Sequence, residues 1–185
     1  MKISIASDHA GFEQKQKLAK YLRGQGHDVR DLGPDDDARV DYPDFAERVA
    51  RDVAQAEAHV ERDAPQLDLR VAERDETRVG VLVCGTGIGM AIAANKVPGI
   101  RAANVTTPEF AKLAREHNDA NIVTLSGRFV DVKTNEAILD AFLNTPFVGG
   151  RHTGRVKKIM DIESERDECV VSKSKAKGIA IGLGL

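Results

Sequence analysis

The most chemically suggestive feature of the chain is a cysteine that closes an apolar run and opens a glycine ladder. Val81-Leu82-Val83-Cys84 leads directly into Gly85-Thr86-Gly87-Ile88-Gly89. A glycine-rich turn between a strand and a helix lets backbone N–H groups converge and face outward, and with the helix dipole they form an anion-binding nest. Cys84 at its mouth would feel that positive potential, which favours the thiolate and makes the sulfur usable as a base or nucleophile. The competing reading is a buried cysteine beside a tight turn. Its place at a strand's carboxyl end favours function, because reactive groups gather in such clefts. Three familiar loops fail on the letters. A cysteine phosphatase loop needs arginine where Met90 stands, a Walker loop needs Gly-Lys-Ser/Thr, and a dinucleotide fingerprint needs its third glycine at Met90.

In an open parallel sheet, ligands sit beyond the carboxyl ends of the strands, and the glycine loop is one of four polar segments expected there. Ser7-Asp8-His9-Ala10-Gly11 follows the first strand. Asp8 and His9 could hold sugar hydroxyls or an anion, or Asp8 could simply cap the following helix. His117-Asn118-Asp119 ends a helix, where an imidazole is stabilised as the cation and can donate a proton, or can serve as a surface cap. Arg151 and Arg155, four apart, would turn both guanidinium forks toward one dianion, with Arg128 upstream. A solvated basic helix end is the alternative. Lys173, Lys175 and Lys177 read as a solvated tail, and His27 and His59 as structural or exposed.

The elements that must carry these residues alternate. Strands are expected at Lys2–Ala6, His27–Leu32, Val79–Val83, Ile100–Val105 and Asn121–Leu125. Helices are expected over Phe12–Gln25, from Pro43 to about Ala58, over Met90–Asn95, from Pro108, and from an Asp131 cap to about Leu143. Gly26 should close the first helix in a left-handed conformation. Thr107-Pro108-Glu109 should start the fourth as capping hydroxyl, first-turn proline and acid. In the last, Ala137, Ile138, Ala141 and Phe142 should face inward. The expected fold is α/β: a three-layer αβα Rossmann-like sandwich on a five-stranded parallel sheet. One domain should span 1–163, with a charged insertion at about 57–78 and a tail at 164–185.

Composition limits the partners. Of 185 residues, 27 are Lys or Arg and 29 are Asp or Glu, for a formal charge of −2, so an anionic ligand must be caught by a local cluster. Aromatics at 4% and no Trp argue against base-stacking surfaces. Two cysteines without regular spacing exclude a disulfide scaffold and a zinc ribbon. The expectation is no nucleic acid, no membrane and no metal. The apolar start meets Asp8 too early for a signal-peptide core, so a cytoplasmic location is the default.

Taken together, Ser7-Asp8-His9-Ala-Gly, Asp41-Tyr42-Pro43, Cys84-Gly-Thr-Gly-Ile-Gly, Ala-Ala-Asn-Lys, Ile-Arg101-Ala, His117-Asn118-Asp and Gly-Gly-Arg151-His-x-x-Arg155 resemble the type B ribose-5-phosphate isomerase family, which includes the galactose-6-phosphate isomerase subunits. The resemblance runs from about Lys2 to Ile162. It implies cofactor-free interconversion of an aldose phosphate and its ketose through an enediolate. It further implies Cys84 as base, polarised by Thr86, with Gly85, Gly87, Ile88 and Gly89 in the oxyanion nest. His117 would open the sugar ring, and Asn118, Asp8 and His9 would bind substrate. Arg128, Arg151 and Arg155 would clamp the phosphate. A branch of the family replaces the cysteine by a glutamate after the loop, where Met90 stands here. The resemblance also implies a homodimer or a dimer of dimers, with sites shared between subunits.

The preferred substrate is ribose 5-phosphate, giving ribulose 5-phosphate. The 6-phosphates of allose or galactose are the nearest alternatives, because an added carbon is a matter of pocket shape. A non-catalytic sugar-phosphate-binding subunit would keep the arginines and the nest without a base.

Overall fold

The structure, a computed structural model, describes residues 1–63 and 78–163. Most of the charged insertion and the whole 164–185 tail lie outside the described residues. Two compact units are present, one of Met1–Val148 and one beginning at Gly149.

The first unit runs β1 (Lys2–Ser7), α1 (Phe12–Gly24), β2 (Asp28–Asp31), α2 (Tyr42–Asp63), β3 (Arg78–Cys84), α3 (Ile88–Ala94), β4 (Ala102–Asn104), α4 (Pro108–Asn118), β5 (Ile122–Ser126) and α5 (Val132–Asn144). All strand pairs are parallel and the order is β2-β1-β3-β5-β4. The central strands read as apolar runs because both faces are covered. Alternate residues go to opposite sides: Ile3, Ile5, Val81 and Val83 pack with Leu18, Leu22, Ala111, Ile138 and Phe142. Ala6, Leu82 and Cys84 pack with Phe45, Val49, Val53, Met90 and Ala94. The α/β sandwich is therefore as expected, with α1, α4 and α5 on one face and α2 and α3 on the other. Each fully buried Leu, Ile or Phe contributes roughly 1.5–3 kcal/mol.

Local punctuation also follows the sequence. Gly26 has φ +85°. Thr107 Oγ1 accepts the Phe110 amide with Pro108 in the first turn, and Asp131 accepts the Thr134 amide at 3.0 Å. That bond holds the Asp131 carboxyl below its usual range. Between α1 and α5, the Tyr21 hydroxyl donates to Asp140 Oδ2 at 2.8 Å, which pushes the phenol up to about 12.

Four details depart from expectation. α2 continues to Asp63, because the charged residues after Ala58 include good helix formers (Glu, Arg). β4 is only three residues long, since the Arg101 amide turns to Asn121 Oδ1 (2.8 Å). Ala137 is exposed; Ile138, Leu139, Phe142 and Leu143 fill the inner face. Lys15 is fully buried: its ammonium donates to Asp31 Oδ1 (2.9 Å) and to the Pro34 carbonyl (2.7 Å), tying α1 to the end of β2.

In the second unit, a 3-10 turn at Gly150–His152 leads into a helix over 153–163. Among the described residues, no helix is long and apolar enough to cross a membrane.

Candidate functional site

The sheet reverses its order of growth between β1 and β3, and the loops leaving β1, β3 and β5 are laced together there. The Asp8 amide donates to the Val83 carbonyl (3.2 Å), the Gly127 amide to the Cys84 carbonyl (2.7 Å) and the Arg128 amide to the Gly85 carbonyl (3.2 Å). The approach is so close that a Cβ on Gly11 would lie 2.3 Å from the Val83 oxygen. Gln14 and Asn135 brace the third loop from behind: Gln14 Nε2 donates to the Gly127 and Val130 carbonyls, while Asn135 Nδ2 donates to Gln14 Oε1 and the Ser126 carbonyl.

Cys84 ends β3, 5% exposed, and the glycine loop curls around its sulfur. The Gly87 amide donates to Sγ at 3.1 Å, so one member of the expected nest meets the thiol directly. Gly87 has φ +81°. Behind it, Asn104 Oδ1 accepts from the Thr124 hydroxyl at 3.1 Å. Thr86 is exposed, and its hydroxyl accepts the Ile88 amide (3.3 Å) rather than meeting the thiol. Ile88 is half exposed, and Gly89 lies under the Tyr42 ring, where a Cβ would come within 2.9 Å. The Arg128 side chain lies over Gly85, 3.5 Å from where a Cβ would stand, which puts a guanidinium at the rim of the loop.

Asp8 is buried, and its Oδ1 accepts the Gly11 amide at 2.9 Å, so it does shape the turn before α1. Beside it, the Ser7 hydroxyl and His9 Nδ1 are buried without hydrogen-bond partners among the described residues. Buried polar atoms are rarely left so, and these two lie beside the thiol's loop.

His117 and Asn118 require a correction. They were expected beyond the carboxyl ends of the strands with the rest. They close α4 just ahead of β5, and the residues that follow pair at the amino edge: the Asn121 amide donates to the Arg101 carbonyl and the Gly80 amide to the Asn121 carbonyl. Cys84 pairs with Ser126, at the far end of the same strand. Four strand steps of about 3.3 Å separate the two edges, roughly 13 Å. A β–α–β unit returns its helix to the starting edge, so the order of elements already carried this information. In the second unit, Arg151 and Arg155 are both exposed, and Arg151 Nε donates to His152 Nε2 at 3.2 Å.

Tyr42, Asn104 and Ser126 were assigned no role from the sequence. Ser126 Oγ donates to the Gly85 carbonyl (2.8 Å) and accepts the Phe129 amide (3.0 Å), so it locks the loop after β5 to the glycine loop. A serine ending an otherwise apolar strand was its only signal.

Fold and site together define an α/β sandwich that gathers a thiol, backbone amides and a guanidinium at its switch point. The family model described as Ribose/Galactose Isomerase matches residues 3–62 and 63–159, and the chain belongs to that family. It is 41% identical over 166 residues to the probable ribose-5-phosphate isomerase B of Mycoplasma genitalium, covering 89% of this chain and 97% of that protein. It is 37% identical to the ribose-5-phosphate isomerase B of Escherichia coli, covering 90% and 99%. The crystal structure of the Mycoplasma genitalium enzyme with bound ribulose-5-phosphate superposes with a TM-score of 0.76 at 41% identity, covering 89% and 97% of the two chains.

Proposed function

We propose that this protein is an aldose–ketose isomerase that converts ribose 5-phosphate to ribulose 5-phosphate with Cys84 as the base. The observation that carries the reading is the Gly87 amide aimed at Cys84 Sγ, within a ring of loops that also holds His9 and Arg128. The names of the relatives and the ligand in the related crystal structure favour the pentose phosphate over the hexose phosphates.

The reaction makes three demands: a base, donors where the oxyanion grows, and an anchor for the remote phosphate. Once the furanose is open, the Cys84 thiolate takes the C2 proton. The C–H pair forms the C1–C2 double bond, and the carbonyl pair moves onto O1, toward the amides of Gly85, Gly87, Ile88 and Gly89. A proton passes from O2 to O1. The thiol then returns its proton to C1 as the C2 carbonyl forms, so nothing is gained or lost overall and no cofactor is required. Thr86 helps to polarise the sulfur once substrate is bound. Asp8 and His9 hold sugar hydroxyls, and Arg128, Arg151 and Arg155 hold the phosphate.

His117 opens the ring and Asn118 holds the sugar, but at a second copy's site. Their place at the sheet's opposite edge supports this reading, in which a homodimer or a pair of dimers builds each site from two subunits. Ile88 and Ile92, 53% and 58% exposed one turn apart on α3 beside the glycine loop, offer an apolar face for such pairing.

One experiment tests both parts. Cys84→Ala and His117→Ala, each alone, should lower turnover of ribose 5-phosphate by about 10²–10⁴ while leaving sugar-phosphate binding largely intact. Co-expressed, the two variants should regain about a quarter of wild-type activity, because half of the dimers are mixed and each mixed dimer rebuilds one intact site. Full activity of Cys84→Ala alone would remove the cysteine mechanism. Failure of the mixture to recover would remove the shared site. Faster turnover of allose or galactose 6-phosphate than of ribose 5-phosphate would replace the substrate.

A further inference from the structure

Asp119 is the only non-glycine residue among those described with a positive φ (+47°), and it stands directly after His117 and Asn118. A left-handed aspartate persists only where its surroundings over-determine it. Here they do. The Asp119 amide closes α4 onto the Ala114 and Arg115 carbonyls. Its carbonyl accepts Arg101 Nε at 2.7 Å, its Oδ2 accepts Arg101 Nη2 at 3.3 Å and its Oδ1 accepts Arg115 Nη1 at 3.1 Å.

Both arginines are largely buried and themselves anchored. Arg101 also donates to the Gly99 carbonyl (3.3 Å). Arg115 donates to the Ala120 and Thr145 carbonyls and lies over the Phe142 ring at 5.5 Å. The Val148 amide then ties the chain after α5 to the Glu116 carbonyl (3.2 Å).

A surface helix end ordinarily frays over its last turn, yet this one is fastened from several sides. The fold alone does not require so much, because Asn121 already seats β5: its side chain accepts the Arg101 amide and donates to the Gly99 carbonyl. The function proposed above does require it. A residue that serves a second copy's pocket cannot be aligned by that pocket's own walls, so its bearing has to be set by its own helix before the subunits meet. We infer that Asp119, clamped between Arg101 and Arg115, is a positioning residue that fixes the last turn of α4 and thereby aims His117 and Asn118. The inference rests on the reading of His117 as the ring-opening group.

The test separates ring opening from proton transfer. Ribulose 5-phosphate is acyclic, so exchange of its C1 hydrogen with deuterated water needs the base and the nest but not the ring-opening group. Asp119→Gly keeps the backbone shape and removes both carboxylate contacts, whereas Asp119→Asn keeps shape and size and removes the charge. With melting temperatures recorded alongside, Asp119→Gly should lower net isomerisation of ribose 5-phosphate at least about tenfold. At saturating ribulose 5-phosphate, where a weaker hold by Asn118 shows in KM rather than in the rate, C1 exchange should stay within about threefold of wild type, the pattern of His117→Ala, with Asp119→Asn intermediate. A parallel fall of both rates, or no fall in either, while His117→Ala still separates them, would overturn the role of Asp119 and leave the proposed function standing. If His117→Ala itself fails to separate them, the ring-opening assignment falls and this inference with it.

Discussion

Gly87 and Asn104 are fitted so closely that any side chain at 87 would force Asn104 or the loop itself to shift: a Cβ there would lie 2.2 Å from Asn104 Oδ1. Residue 87 also has φ +81°, which an L side chain rarely adopts. The fit matters because the same residue's N–H is the one aimed at the Cys84 sulfur. Gly87→Ala should therefore destabilise the fold by about 1–3 kcal/mol and lower kcat more than it raises KM for the sugar phosphate. Thermal melting and steady-state kinetics check both; an unchanged kcat would show that the amide contributes nothing to turnover.

The arginines make a separable prediction. Arg128 stands at the glycine loop, while Arg151 and Arg155 belong to the second compact unit. Alanine at any of the three should weaken binding of a phosphorylated sugar by roughly tenfold or more, as expected for loss of a charge-assisted hydrogen bond. The affinity for the bare sugar should hardly move. Calorimetric titration with both ligands gives the comparison, and equal losses for the two would assign the residue a structural role.

Acid should weaken the fold partly through His27. Burial first, and the Met1 ammonium 3.4 Å from Nδ1 second, hold this imidazole below its ordinary value of 6.5. The unfolded chain then binds the proton more readily than the folded one. The stability due to neutral His27 is present above pH of about 6.5 and is lost as the pH falls through the lower folded value. Between pH 7.5 and 5.5, roughly the window of an imidazole, His27→Gln should lose less melting temperature than the wild type. Parallel curves would show that His27 is not the group responsible.

How much could be read from residues alone depended on how local the cause was. Gly26, Thr107 and Asp131 act within one turn of themselves, and each does in the structure what its type suggests. Cys84 and its glycines were legible because strand, turn and nest are contiguous. Lys15 was not, since its partners Asp31 and Pro34 come from the end of β2 and the loop after it, 16 and 19 residues on. Asp8 showed only half of itself: the turn-forming oxygen is a local matter, whereas the neighbouring His9 Nδ1, without a partner among the described residues, emerges only once β3 lies alongside. His117 differs from expectation for another reason. Its residue type and helix-terminal position are local, but the edge of the sheet that it reaches is set by the direction in which α4 crosses back between β4 and β5.

The register of the sheet has a consequence for the birth of the protein. β1 pairs with β3 from Lys2 opposite Arg78 to Ser7 opposite Val83, and the next loop to join arrives only with Gly127 and Arg128. Loop-closure entropy is therefore spent over most of the chain before the loops after β1, β3 and β5 are laced together. On the ribosome, the first two strands and their helix can form early, but a nascent chain that stops short of β5 leaves the Cys84 and Gly85 carbonyls without the Gly127 and Arg128 amides.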